Sequence, residues 1–433
     1  MRAPTARYAT ALAAALIVGA WLVSFAPAGA AAAATVPVPA SIDATGKQDV
    51  TTALNTFLAS VAAGATVAFP KGAVYHVEGT VFLDGRNGVT IDGNGATLVA
   101  HTDGKAASKA TPRRGRRPAR LRTHLAIRGS TNVSVRDLKI VGPNSSGRYV
   151  PALEGQAAVT VSGSTNIVLD HDSMRDTYGD AVYIVNHSAD VTIRSCDVRH
   201  AGRQGIAVVG AERVTISECN FESVSRSVVD LEPKGRRGTA SSVHIEHNRI
   251  GRYGNFVVAG VGVGTEVGDV WVEHNTVSGS RGVSVYVGIP GRIRKGFHVI
   301  GNRGTRTSSG YQGALMRFVH FDGIEVRQNH QPVADGTVAV LLVGSCHATV
   351  EDNDFPGASQ VQRSQGDCGT QLAPTRAPPS QRKAAGKARA RRPRNATSDS
   401  GGGSDTGTVV LVGVAGLLIG AGVVYSVMRR RAA

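Results

Sequence analysis

The sequence predicts an all-β chain wound as a parallel β-helix, and three observations carry that prediction. A short phrase recurs through residues 242–355: two apolar residues flanking any residue, then two further positions, then Asn. It occurs as Val243–Ile245 with Asn248, Val270–Val272 with Asn275, Phe297–Val299 with Asn302, Ile324–Val326 with Asn329 and Ala348–Val350 with Asn353. Successive Asn lie 27, 27, 27 and 24 residues apart, the fixed period of a stacked-repeat architecture. Within each phrase the apolar residues alternate with period two, which is strand and not helix. The chain also holds 53 glycines and only 5% aromatic residues, as expected of many turns around a narrow core.

A unit this small cannot bury its own inner face. Stacking solves the problem, because each coil covers the next and the strands pair in parallel about 4.8 Å apart. Each turn Asn would then sit over the Asn of the neighbouring coil, and their amides would satisfy one another. The same frame continues upstream with other residues at the Asn place: Val214–Ile216 with Cys219, Val191–Ile193 with Cys196, Ile167–Leu169 with Asp172, Val133–Val135 with Leu138 and Val89–Ile91 with Asn94. That makes about ten coils. Cys196 and Cys219 share one place in adjacent coils, so they are either a disulfide or two thiols packed in the core. Cys346 and Cys368 could staple the last coil.

The formal net charge of +16 suggests nucleic acid, but its distribution argues otherwise. Of 48 Lys and Arg, 21 lie in residues 105–122, 376–394 and the two termini, leaving 27 against 32 acids in the body. No aromatic residues interleave the basic runs, so no nucleic-acid partner is expected. The run 105–122 reads as a surface loop inserted in a coil.

Residues 1–34 read as a signal peptide, with Arg2 and Arg7 before an apolar stretch and an Ala-rich cleavage region. The β-helix domain is expected over 35–369, followed by a basic and then Gly/Ser-rich linker over 370–407. Residues 408–428 are apolar or small without charge, followed by Arg429, Arg430 and Arg431 in a tail over 429–433. This reads as a transmembrane helix that holds the domain outside the cell. Within 41–62, Leu54, Phe57, Leu58 and Val61 fall at helical spacing, with Asp49 or Thr51 to cap the start. An amphipathic helix there would close the open end of the coil.

The stretches Asp43–Thr51, Thr66–Gly72 and Val89–Gly95 are similar to the N-terminal part of the pectin lyase-like superfamily, and the resemblance covers about residues 40–369. It implies a right-handed β-helix of the kind found in polygalacturonases, pectate lyases, mannuronan epimerases and phage tailspikes. It implies a polysaccharide as partner, and calcium as cofactor only if the chemistry is that of a lyase. Polygalacturonases carry paired aspartates, a Gly-His-Gly and an Arg-Ile-Lys on such strands. This chain has Gly202-Arg203-Gln204-Gly205 where the histidine would stand.

Chemistry-bearing residues gather in three successive coils, at Tyr178-Gly179-Asp180, Arg203-Gln204 and Asp230-Leu231-Glu232. Aligning Val182, Ile206 and Val229 as inward residues puts Asp180, Arg203, Asp230 and Glu232 on one patch of the outer wall, beside the insertion that begins at Lys234. The four are the expected catalytic residues; Tyr178, Gln204 and Lys234 are the expected substrate-binding residues. Two carboxylates at such spacing suit glycosidic hydrolysis. Lyase or epimerase chemistry on a uronate would use Arg203 or Lys234 on the sugar carboxylate and a base such as Tyr178. The expectation is a surface-anchored hydrolase, lyase or epimerase acting on an acidic polysaccharide; the alternative is a non-catalytic glycan-binding or structural β-helix. Glu246-His247 and Glu273-His274 recur in register, but at turns such residues are usually exposed, and no metal is expected.

Overall fold

A computed structural model describes residues 34–104, 122–234, 238–259, 266–288 and 294–366. The leader, the linker, the C-terminal apolar span, the inserted basic loop over 105–121 and Cys368 all lie outside these residues. Among the described residues no helix is long and apolar enough to cross a membrane.

The expected solenoid is present. One sheet stacks twelve short parallel strands, from Thr35–Pro37 to Cys346–Glu351, giving about eleven turns. The two strands beyond the expected ten, Thr35–Pro37 and Thr66–Ala68, lie at the N-terminal end. A second, twenty-stranded sheet forms the rest of each coil. The register follows the repeat: Val214, Val243 and Val270 are mutual partners, as are Ile216, Ile245 and Val272, and all are fully buried.

The Asn ladder explains why the turns stack so regularly. Asn248, Asn275 and Asn302 each donate from Nδ2 to the Oδ1 of the next Asn, at 3.0, 2.9 and 3.0 Å, and Asn329 donates to Asn353 at 2.9 Å. Each also donates its backbone N–H to that same oxygen at 3.0 Å. The remaining Nδ2 proton goes to a strand carbonyl of the preceding coil, as from Asn275 to Ile245 at 2.8 Å. These buried amides are thereby satisfied. The residue before the ladder position turns the chain in the left-handed region, as at His247 (φ 55°) and His274 (φ 51°).

Upstream, other side chains take over the acceptor role. Asn248 Oδ1 accepts from the Cys219 N–H at 2.9 Å, and Cys219 Sγ accepts from the Cys196 N–H at 3.3 Å. Both cysteines are buried free thiols, so of the two readings left open the core thiol is correct here. Cys346 is disulfide-bonded. Asp172 Oδ1 accepts from the Leu138 N–H at 2.9 Å, but its Oδ2 is buried with no partner. Burial, and next the neighbouring Cys196, push this carboxyl well above the ordinary range. A raised folded-state pKa means that the carboxyl's stabilising contribution is present below its unfolded pKa and is lost as pH rises. Asp172→Asn should therefore stabilise the fold at neutral pH by roughly 1–3 kcal/mol, because an amide needs no proton there. Thermal melts of both proteins at pH 4 and pH 7 check this, with the larger gain expected at pH 7.

The capping helix spans Thr51–Ser60 and buries Leu54 and Leu58 against the first coil. Val50 holds the N-cap position, and Asp49 acts from one residue earlier by accepting the Thr51 N–H at 3.0 Å and hydroxyl at 2.6 Å. Asn55 then docks the helix onto the coil edge, donating to Thr80 O and accepting from the Phe82 N–H, both at 2.8 Å.

Candidate functional site

The second sheet aligns the three segments as expected. Val182, Ile206 and Val229 are register partners and wholly buried, and the next residues outward in the row are Tyr183, Ala207 and Asp230. Asp180 and Gln204 stand two residues before their strands at one height. The Gln204 N–H donates to Asp180 Oδ1 at 3.0 Å. Gly202 and Gly205 bracket the Arg203-Gln204 pair because the coils approach too closely for a side chain. A Cβ on Gly205 would lie 2.5 Å from Val228 O, and one on Gly202 2.7 Å from the carbonyls of Thr177 and Tyr178.

Arg203 is the hub. One guanidinium nitrogen donates to both oxygens of Asp180, at 3.1 and 3.0 Å, and the other to both oxygens of Glu232, at 2.9 and 3.0 Å. Glu154 adds a longer contact of 3.8 Å. Gln204 connects the third acid: its Oε1 accepts from the Ser227 N–H at 2.6 Å, which fixes the amide so that Nε2 donates to Asp230 Oδ2. Asp230 Oδ1 is buried and receives no donor.

The environment pulls the three acids apart. Burial drives Asp230 well above the ordinary carboxyl range, Glu232 adds to that, and Arg203 only partly opposes it. For Glu232, burial works in the same direction but is outweighed by Arg203 and Lys234, which hold it below its usual value. Asp180 is raised to about 6 by burial against the pull of Arg203. The patch thus sets an acid whose surroundings favour its protonated form, Asp230, next to one whose surroundings favour its ionised form, Glu232. Such divergence marks acid–base assignments in enzyme sites.

Exposure revises the expected roles. Asp180 and Asp230 do face away from the core, yet they are only 2% and 4% exposed, the first held under Arg203 and the second by Gln204. The Glu232 side chain, at 23%, is the carboxylate of the three that solvent reaches. Lys234 Nζ lies 3.5 Å from Glu232 Oε2 on a side chain that is half exposed. Tyr178 is half-buried beside Arg122 and makes no hydrogen bond to the cluster, so it does not belong with the acids.

Two residues that the sequence reading missed do belong. Tyr183 is half-buried amid the charges of Lys234, Asp180, Glu232 and Arg203, and burial raises its phenol pKa. With Lys234, Asn186, His187 and Gly210 it lines a hollow of about 140 Å³ beside Glu232. Glu154 comes from an insertion containing the short helix Pro151–Leu153, and the Tyr149 hydroxyl donates to it at 2.5 Å. Arg226 lies over the Tyr149 ring at 4.2 Å and braces this wall. A larger, shallow hollow of about 500 Å³ over Asp92, Asn94 and Arg136 holds no comparable set, since Asp92 and Arg136 satisfy each other at 2.8 Å.

Calcium does not fit the cluster. It takes 6–8 oxygen ligands, whereas here the Arg203 guanidinium occupies the space between Asp180 and Glu232 and engages both their oxygens.

Fold and coil geometry define a right-handed parallel β-helix. The chain belongs to the family described as the right handed beta helix region, which matches residues 42–230 and 123–355. The uncharacterized protein YclG of Bacillus subtilis (strain 168) is 26% identical over 199 residues, 41% of this chain and 33% of that protein. The matched region thus spans about a third of that relative's length. Among solved structures, the surface protein and adhesin PfbA of Streptococcus pneumoniae is 13% identical, covering 77% of this chain and 100% of that one at a TM-score of 0.51. The family 28 exopolygalacturonase of Yersinia enterocolitica is 10% identical, covering 77% of each chain at a TM-score of 0.51. At these identities the likeness is one of fold.

Proposed function

We propose that this protein is a carbohydrate-active enzyme working on an acidic polysaccharide, with its site on the outer wall around Arg203. The observation that carries the reading is the pairing of half-exposed Lys234 with Glu232, 3.5 Å apart, over the buried Asp230, whose surroundings favour its protonated form where those of Glu232 favour the ionised one. In this reading Lys234 binds the carboxylate of a uronate and Glu232 takes the proton from the adjoining carbon. Asp230 beneath, which favours keeping its own proton, takes up no second one; the electron pair left on carbon either expels the leaving oxygen, which takes the proton from Glu232, or is reprotonated. This favours lyase or epimerase chemistry over hydrolysis, which needs an acid at the surface where Asp230 is covered. Arg203, with both ends engaged, positions Glu232 and does not meet the substrate.

A second reading is glycan binding without turnover. It is favoured by the saturation of Arg203, since a fully paired brace also serves a purely structural wall. Screening the full-length protein against polyuronates and neutral glycans separates the two: new unsaturated or epimerised uronate supports the first, and retention without product supports the second.

Placement at the cell surface, tethered by the apolar span over 408–428, is part of the same proposal. Deleting residues 408–433 should move the protein from the membrane fraction to the medium. Retention on membranes would assign the tether elsewhere.

A further inference from the structure

On the opposite sheet, the residue closing each strand forms a row along the outer face. Asp92, Arg136, Asp170 and Arg194 are consecutive in that row and alternate in sign. They pair across coils, Arg136 with Asp92 at 2.8 Å and Arg194 with Asp170 at 2.7 Å. The alternation lapses from Ser217 to Ile300. Glu246 and Glu273 are direct register partners, with uncharged Ser217 and Ile300 on either side. Like charges directly opposite on neighbouring strands are destabilising. Neither carboxylate has a hydrogen bond or ion pair among the described residues.

His244 stands two residues before Glu246, on the same face. One ligating atom from each of His244, Glu246 and Glu273 lies within 4.8 Å of the others, and all three residues are half-buried. The His244 ring is held flat against Trp271, with centroids 6.0 Å apart and planes 2° apart, while its nitrogens make no hydrogen bond. Trp271 is fixed in turn by His298 stacked at 3.7 Å on its other face and by its Nε1–H donated to Asp269 at 3.1 Å. His247 and His274, the imidazoles adjacent in sequence to the two glutamates, instead stack on each other at 5.3 Å.

We propose that His244, Glu246 and Glu273 bind a divalent transition-metal ion of the zinc class, against the expectation from sequence that no metal is held. The donor set decides the class. One imidazole nitrogen with two carboxylates suits zinc at about 2.0–2.2 Å per bond, whereas calcium and magnesium prefer oxygen alone. The ion supplies the counter-charge that the row lacks at this point. Rotation of the two glutamates brings the donors from their present separation to ligating distance, and the remaining coordination positions are left to water.

The full-length protein, stripped with chelator and dialysed, is titrated with zinc chloride by calorimetry, and with calcium and magnesium chloride in parallel. One zinc per chain is expected, without comparable binding of the other two ions. His244→Ala, Glu246→Gln and Glu273→Gln should each weaken zinc binding by about 100-fold or more, because even outer-shell partners of a metal are worth about 10–100-fold. In a Trp21→Phe background, where Trp271 is the sole indole, zinc should change the fluorescence because its ligand stacks on that ring. Without zinc, Glu273→Gln should melt no lower than the natural protein, since it removes a repulsion; with zinc, only the natural protein should shift upward. Zinc binding that is absent at millimolar concentration, or undiminished in the variants, overturns the site. So does a metal-free Glu273→Gln protein of lower stability, which would make the pair structural.

Discussion

Glu232→Gln is expected to lower turnover on an acidic polysaccharide by about 10²–10⁴-fold, the usual contribution of a positioned acid–base group. The amide keeps the shape of the side chain and still accepts from Arg203, so the wall should remain folded. Asp230→Asn provides the discriminating comparison. Burial favours the protonated form of Asp230, so Asn mimics the charge of that form and still accepts from Gln204. It cannot pass on a proton. A relay role for Asp230 therefore predicts a large loss of rate with an unchanged melting temperature, whereas a packing role predicts near-natural rates. Lys234→Ala should act mainly on KM for uronate chains and little on neutral glycans. Full activity in Glu232→Gln on a confirmed substrate would remove the enzymatic reading of this patch.

The solenoid was legible because its cause is periodic. A ladder amide every 27 residues and alternating apolar pairs leave one economical arrangement, and the register of Val214, Val243 and Val270 follows from it. The patch was legible for the same reason: with Val182, Ile206 and Val229 aligned, the heights of Asp180, Arg203 and Asp230 are fixed by counting. Counting could also have found Tyr183, which shares the row of Asp230. What counting cannot give is the path of a long side chain. Arg203 lies back between Asp180 and Glu232 while Gln204 reaches Asp230, and the carboxylates of Asp180 and Asp230, which counting leaves apparently solvated, are buried. Glu154 and Tyr149 arrive on an insertion outside the repeat, so no period announces them. At the other site the glutamates were in view, but their partner is His244 and not His247. The left-handed turn at 247, φ 55°, takes that residue out of the strand's alternation.

Arg203→Met should be the most destabilising single change in the site, at about 3–5 kcal/mol, the usual cost of removing one partner from a buried ion pair. Methionine fills much of the same volume, so the loss reports charge and hydrogen bonds more than a cavity. Without the guanidinium, Asp180 and Glu232 would share a covered space with Asp230 and no counter-charge but Lys234. The pH dependence separates this account from a packing defect. With Arg203 present, Asp180 already titrates at about 6, above the ordinary carboxyl value because burial outweighs the attraction of Arg203. A folded-state pKa above the unfolded one means that the stability contributed is present below the unfolded pKa and lost as pH rises through the folded value. Removing Arg203 takes away the force holding these acids down, so the folded-state pKa of Asp180 rises further and that of Glu232 is no longer depressed by it. The variant should be nearest to the natural protein at about pH 4, where Asp180 is protonated, and fall furthest behind above pH 7. Denaturant melts at pH 4, 6 and 8 check this. A deficit that is the same at all three values would mean that Arg203 acts through packing alone, and the buried-acid account of the cluster would be wrong.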